Sequence, residues 1–245
     1  VLSGFKNQSD IDTMKIITTI LLTAMLSPAL QAQKIGCILD NHNSKSGDVV
    51  LFAFGMDNPV KLGSVDAKGT LSVNLQEIQI PELTDEVKEM YFTELRNAFR
   101  FGCGGRDDFG KQGTIPALRG GNIVLWAGNE WAGSFFLVSD TELKPWLEDE
   151  SYNSAVKATF WDIIYVEEDV SLNLNCTNEI GLENGNMEVS YIYDLNLKKG
   201  FNWIEYSIEE VHNTNPEEIA SFPSRVRISN LRDPERMKWI VNYFF

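Results

Sequence analysis

Six apolar residues at alternate positions, Met187, Val189, Tyr191, Tyr193, Leu195 and Leu197, set the kind of structure this chain can form. Glu188, Ser190, Asp194, Asn196 and Lys198 fall between them, and only Ile192 breaks the pattern. Successive side chains of a strand point to opposite faces, so this stretch has one dry face and one wet face. A dry face needs partners. Segments 34–39, 49–54, 60–65, 70–75, 122–127, 132–138, 156–166, 170–176, 201–208, 224–228 and 238–244 also read as short strands with turn signals between them, the pattern of an antiparallel β fold. In the turn Asp66-Ala67-Lys68-Gly69 the glycine accepts positive φ at little steric cost, and Lys199-Gly200 turns the chain after the alternating strand.

One helix is expected. Thr84 reads as its N-cap, and Asp85 and Glu86 suit the positive end of the helix dipole. Val87, Met90, Tyr91, Leu95, Ala98 and Phe99 recur at three- and four-residue steps through position 99. Segment 102–113 (GCGGRDDFGKQG) is too rich in glycine for helix or strand. The expected fold is mainly β, antiparallel and sandwich-like, with one short-to-medium α-helix in the middle. Its organisation reads as an upstream tail and signal peptide at 1–32, a small sandwich-like module at 33–80, a helix and Gly-rich loop at 81–117, and a larger antiparallel domain at 118–245.

Segment 14–33 (MKIITTILLTAMLSPALQAQ) has the three parts of a secretory leader. Lys15 supplies the positive end, 16–26 the apolar run, and Pro28 to Ala32 the small-residue end. The apolar run is about a dozen residues, short of the ~20 that span a bilayer, so no membrane span is expected in the mature chain. Residues 1–13 read as translation begun upstream of a start at Met14. Cleavage after Ala32 removes Lys6, Lys15, Asp10 and Asp12, so the net charge stays at −14. Such acidity disfavours nucleic acid and anionic headgroups.

Cys37, Cys103 and Cys176 are too dispersed for a local zinc site, whose ligands come in close pairs. An oxidising compartment favours one disulfide, with Cys103 and Cys176 the preferred pair and Cys37 left over; the pairing itself stays open. Ile35-Gly36-Cys37 looks like the end of a lipobox, which would attach the protein to the cell surface. However, Lys34 stands where leucine is wanted, and Cys37 is seven residues beyond Leu30. Cleavage after Ala32 is the preferred reading.

The stretches Gly63-Ser64-Val65-Asp66-Ala67-Lys68-Gly69-Thr70-Leu71 and Leu195-Asn196-Leu197-Lys198-Lys199-Gly200-Phe201-Asn202 resemble a group of secreted bacterial proteins with a β-rich body and no known activity. That group has tryptophan where Phe201 stands, and Cys103 matches its cysteine after a middle helix. The first hairpin also resembles transthyretin-like or carboxypeptidase-regulatory β-sandwich modules. These resemblances imply a fold class and a location outside the cytoplasm, and no catalytic residue.

Chemistry-bearing motifs are few. Gly105 to Gln112 approaches a phosphate loop, but Gln112 lacks the magnesium-binding hydroxyl, and Asp107 and Asp108 repel phosphate. His42 and His212 are far apart, Ser134 is not in a nucleophile elbow, and a disulfide or buried thiol outweighs a nucleophilic Cys103. Glu148-Asp149-Glu150 and Glu167-Glu168-Asp169 read as solvated turns, although paired carboxylates can cleave glycosides. Asp40, His42, Ser44, Ser46 and Asp48 offer alternating side chains for a loose calcium site, without an EF-hand register because Lys45 takes the glycine position. Trp131, Trp126, Trp203 and Trp161 could form a sugar-stacking platform, with Trp131 the best placed because it lies beside a turn.

No cofactor is expected beyond that calcium possibility. The preferred reading is an exported, secreted or periplasmic binding or structural module whose partner is a glycan or a protein, and catalysis is the less favoured class. Two alternatives are a small outer-membrane β-barrel, suggested by alternating Trp239, Val241, Tyr243 and Phe245, and a carboxylate-dependent glycan-acting protein. Mass spectrometry of the natural mature protein is expected to find Gln33 as its first residue and an unmodified Cys37; a lipid on Cys37 would replace the soluble reading with an anchored one.

Overall fold

Strand β11 (Gly185–Leu197) carries the alternation: Val189, Tyr191, Tyr193, Leu195 and Leu197 are all buried in one core cluster. The computed structural model describes residues 34–52, 60–78, 88–89, 91–104, 108–128, 130–182, 185–214 and 220–244. The leader, the Thr84 cap with its first turn, Met90, Gly105 to Asp107, Asn129 and Phe245 lie outside the described residues. The chain divides into two units, Val1–Ala32 and Gln33–Phe245, and all of the described strands and helices belong to the second.

Fourteen strands form one mixed sheet. Its first half runs, in spatial order, β1 (Lys34–Ile38), β4 (Thr70–Asn74), β3 (Val60–Val65), β2 (Gly47–Phe52), β7 (Asn122–Ala127), β8 (Glu130–Val138) and β14 (Lys238–Tyr243), all antiparallel. The second half runs β5 (Thr93–Glu94), β6 (Pro116–Arg119), β9 (Thr159–Val166), β12 (Gly200–His212), β13 (Phe222–Asn230), β11 and β10 (Val170–Leu182). A single pair, Val138 with Phe160, joins β8 to β9. The halves also meet through side chains, since Trp203 of β12 lies edge-on to Trp239 of β14 at 5.9 Å between ring centroids. The fold is thus mainly β and sandwich-like, and residues of 33–80 share ladders with residues of 118–245 through β2 and β7.

One ladder departs from the antiparallel expectation, because β11 and β13 run parallel. The cause lies in the link between β11 and β12. Only Lys198 and Lys199 separate these strands, yet β13 is inserted between them. Being antiparallel to β12, β13 must run with β11. Side-chain amides replace the missing ladder at this split: buried Asn202 accepts from Lys198 N at 2.9 Å and donates to the carbonyls of Lys198 and Gly200 at 2.7 and 2.8 Å. Asn230 does the same for the backbone of Asn196, accepting at 2.6 Å and donating at 3.1 Å. Asp169 adds a bond to Lys199 N and an ion pair with Lys198, both on the exposed side.

The first hairpin follows its turn chemistry. Gly69 has φ 83°, and Asp66 accepts from the N–H groups of Lys68 and Thr70 at 2.9 and 2.8 Å. The expected short-to-medium helix over 84–99, by contrast, is broken in its described part. Residues 88, 89 and 91 are helical, and Phe92 N–H reaches Lys88 O, but β5 then pairs with β6 and only one helical turn, α1 (Leu95–Ala98), follows. Packing explains the break: Phe92 meets Tyr165, Phe99 meets Phe109 and Tyr193, and Phe101 meets Tyr191 and Tyr206. A straight helix could not place these rings along so much of the sheet, so tertiary contacts override propensity. A second short helix, α2 (Lys144–Glu148), follows a turn capped by Asp140 and buries Trp146 over the same face.

Removing the Asn202 amide leaves three part-buried backbone groups without that partner, so Asn202→Ala is expected to lower stability by about 3 kcal/mol. Urea denaturation measures this, and a loss below about 1 kcal/mol, the worth of one hydrogen bond, would show that the split between β11 and β12 does not depend on the amide.

Candidate functional site

At the junction of the two halves, one edge of β9 has two kinds of neighbour. Val138 takes it at Phe160, while β6 takes it from Ile164 to Val166 and Gly120 N–H bonds Ile163 O at 2.8 Å. Between these contacts, β7 and β8 lead away from β9. Gly120 and Gly121 permit that divergence. A Cβ on Gly120 would come within 2.2 Å of Ile163 O, and Gly121 has φ 63°.

A cavity of about 110 Å³ opens at this fork, lined by Asn122, Phe136, Phe160, Trp161, Asp162 and Arg100 among others. Arg100 comes from the segment that covers the sheet. Its guanidinium sits over the rings of Trp146 and Phe160 at 5.1 and 5.2 Å and pairs with Glu150 at 2.7 Å. Its Nε is buried and has no hydrogen-bond partner in the structure.

Asp162 is a perturbed carboxyl group of this site. It is closely surrounded by protein, and its carboxylate accepts from Ile163 N–H at 2.8 Å. No ion pair within 4.0 Å joins it to a cation among the described residues. Burial pushes its pKa above the usual carboxylate range, against the opposing pull of the Ile163 N–H, Arg119 and Arg100. Nearby Tyr206 is held well above the ordinary phenol range, first by burial and then by the Asp162 charge, and its hydroxyl accepts from Arg100 N–H at 3.3 Å. A perturbed carboxylate in an aromatic-walled cavity is the usual physical mark of a ligand site.

Of the residues expected from sequence, Trp161 lines this cavity and the others lie elsewhere. Trp126 and Trp131 are cross-strand partners of β7 and β8, both half-buried, with Phe244 edge-on to Trp131 at 5.2 Å. Trp131 Nε1 donates to Gly133 O at 3.0 Å. Trp203 is apart from them, 3% exposed in the interior, and its ring faces are committed to packing. Trp161 lines the cavity and donates its Nε1 to buried Glu205 at 3.2 Å.

Cys103 and Cys176 are joined by a disulfide with 5.8 Å between Cα atoms, and Cys37 is free. Burial, then the Asp40 charge, pushes the Cys37 thiol up to about 11, so little thiolate is present at neutral pH. Among the described residues, Cys103, Asp108 and Cys176 bring three metal-type ligand atoms within 4.8 Å, but the two sulfurs are bonded to each other. In the 40–48 loop, Asp48 pairs with Lys61 at 2.7 Å and His42 Nδ1 lies 3.2 Å from the Tyr243 hydroxyl. His212 packs beside Phe222. In the acidic runs, Glu148 pairs with Lys144, Glu150 with Arg100 and Asp169 with Lys198. Gln112 accepts from Ser171 N–H, and Ser134 sits within β8 between β7 and β14.

Arg100 and Asp162 were not legible as a site in the sequence. The only available signal was an aspartate inside the apolar run FWDIIYV, where a strand buried on both faces has no use for a charge. Comparisons with family models, curated proteins and solved structures return no match for this chain.

A carboxyl group with a raised pKa binds its proton more tightly in the folded than in the unfolded state, so the stability it contributes is lost as pH rises through the folded value. At neutral pH Asp162 therefore costs stability relative to acid pH. Asp162→Asn is expected to raise Tm near pH ~7, with the gain shrinking toward pH ~4 as the wild-type carboxyl becomes protonated. Thermal melts across that range check this, and a variant less stable than wild type at neutral pH would show that the carboxylate is compensated.

Proposed function

We propose that the protein is an exported binding module, acting outside the cytoplasm, whose ligand enters the cavity at the β-sheet fork. The observation that carries this reading is Asp162, an acidic group kept among aromatic rings with no ion pair of its own among the described residues. Retaining such a group lowers stability, and strained or destabilising groups are characteristic of functional sites. The leader-like segment and the disulfide agree with an oxidising, extracytoplasmic location.

Binding is favoured over glycan hydrolysis because that chemistry needs two carboxyl groups facing one bond, whereas the cavity lining contributes one, Asp162. A soluble module is favoured over a barrel because, among the described residues, the strand path runs from β1 to β10 and these ends do not pair with each other. No helix among the described residues is long and apolar enough to cross a membrane.

Thermal-shift screening against small sugars, amino acids and alkylamines tests the reading. A ligand at a hundred times its Kd adds about 2.7 kcal/mol of stability. At least one compound is expected to raise Tm of the wild type and to lose that effect on Asp162→Asn. A panel with no such compound would remove the cavity as the functional site.

A further inference from the structure

We propose that two copies of this chain pair through the free edges of β1, antiparallel about a two-fold axis at Cys37, so that one sheet continues from copy to copy. Strand β1 ends the strand order and pairs only with β4. Among the described residues the other sheet edges are covered or short. Gln112 and the Cys103 disulfide hold a segment against β10, the Asn41 amide bonds both the N–H and the C=O of Val241 on β14, and β5 has two residues. On β1, Ile38 is 73% exposed and Gly36 is exposed as well. An uncovered strand edge is a template on which another chain can pair.

The ladder with β4 fixes which backbone groups are offered. Leu39 N–H bonds Gly69 O at 2.9 Å, and Cys37 and Ile35 stand opposite Leu71 and Val73 in the same register. Alternate residues of an antiparallel strand bond to the same side, so residues 35, 37 and 39 face β4. The N–H and C=O groups of Gly36 and Ile38 therefore face the open edge. A second copy must bring its own Gly36 and Ile38 against them.

The segment Lys34-Ile35-Gly36-Cys37-Ile38-Leu39-Asp40 is self-complementary about Cys37. With the axis there, Gly36 of each copy exchanges backbone hydrogen bonds with Ile38 of the other. A Cβ on Gly36 would meet only Leu71 O, at 3.7 Å, so the outward side of Gly36 has room for the isoleucine that stands opposite. Lys34 of each copy falls opposite Asp40 of the other, which sets opposite charges against each other at both ends of the pair. On the inward face Ile35 falls opposite Leu39; both are buried, so the dry face carries on across the join. An axis at Gly36 would set Lys34 against Ile38, and an axis at Ile38 would set Asp40 against Gly36. Only the axis at Cys37 matches the charges, and it makes the same patch serve both copies, as a two-fold interface requires.

Analytical ultracentrifugation of the natural mature protein over a range of concentrations, in physiological salt, tests the inference. A reversible dimer is expected. Ile38→Pro removes an N–H that faces the open edge and leaves the bonds of residues 35, 37 and 39 to β4 in place, so it is expected to give a monomer with an unchanged thermal melt. Lys34→Asp and Asp40→Lys, each exported with the native leader, are expected to weaken the dimer about tenfold, and the two together to restore it. Should Ile38→Pro melt early, this charge exchange decides alone. A monomer at every concentration overturns the inference, as does a dimer that none of these variants weakens. A dimer that Ile38→Pro abolishes but the charge exchange leaves unchanged keeps the β1 edge and overturns the axis at Cys37.

Discussion

The structure depends on covering both faces of β12. Phe201 to Tyr206 are buried without interruption, which is possible only for a central strand with a layer on each side. Ile204, Tyr206 and Ile208 belong to the core cluster beneath α1, α2 and the irregular segments around them. Trp203 turns the other way, toward Trp239. The first half of the sheet and the aromatic cover are the two responses to that one demand.

Covering the sheet with loops has a structural cost that the disulfide offsets. The cover packs through separate rings, Phe92, Phe99, Phe101 and Phe109, instead of one continuous helical face. Cys103 is tied to Cys176 of β10 over a separation of 73 residues, and Asn178 clips the same segment by bonding Gly102 O and Gly104 N–H at 2.7 and 2.6 Å. In chain-entropy terms a loop of that length restricts the unfolded state by about 4 kcal/mol. The cover can thus be irregular and still fixed, which holds Arg100 over Trp146 and Phe160.

The fork follows from the same arrangement. One edge of β9 serves β8 at its beginning and β6 at its end, so a gap must open where those partners diverge. Apolar side chains could have filled it. Asp162 and Arg100 stand there instead, Arg100 with a buried Nε left without a partner, and that departure from a fully packed interior distinguishes the cavity from an ordinary packing defect.

Local chemistry made the strands and turns legible in the sequence. The alternation in β11 and the Asp66 to Gly69 turn depend on neighbours a few residues away, so both could be read from order alone. The helix pattern over 84–99 failed where described because apolar spacing suits either a helix or a cover of separate rings, and only contacts with Tyr165, Tyr193 and Tyr206 decide between them. The parallel ladder, the role of Asn202 and the meeting of Arg100 with Asp162 were also decided by tertiary structure. Each joins groups whose proximity arises from strand order, and strand order is set by which faces must be buried, a property of the whole sheet that no single segment carries.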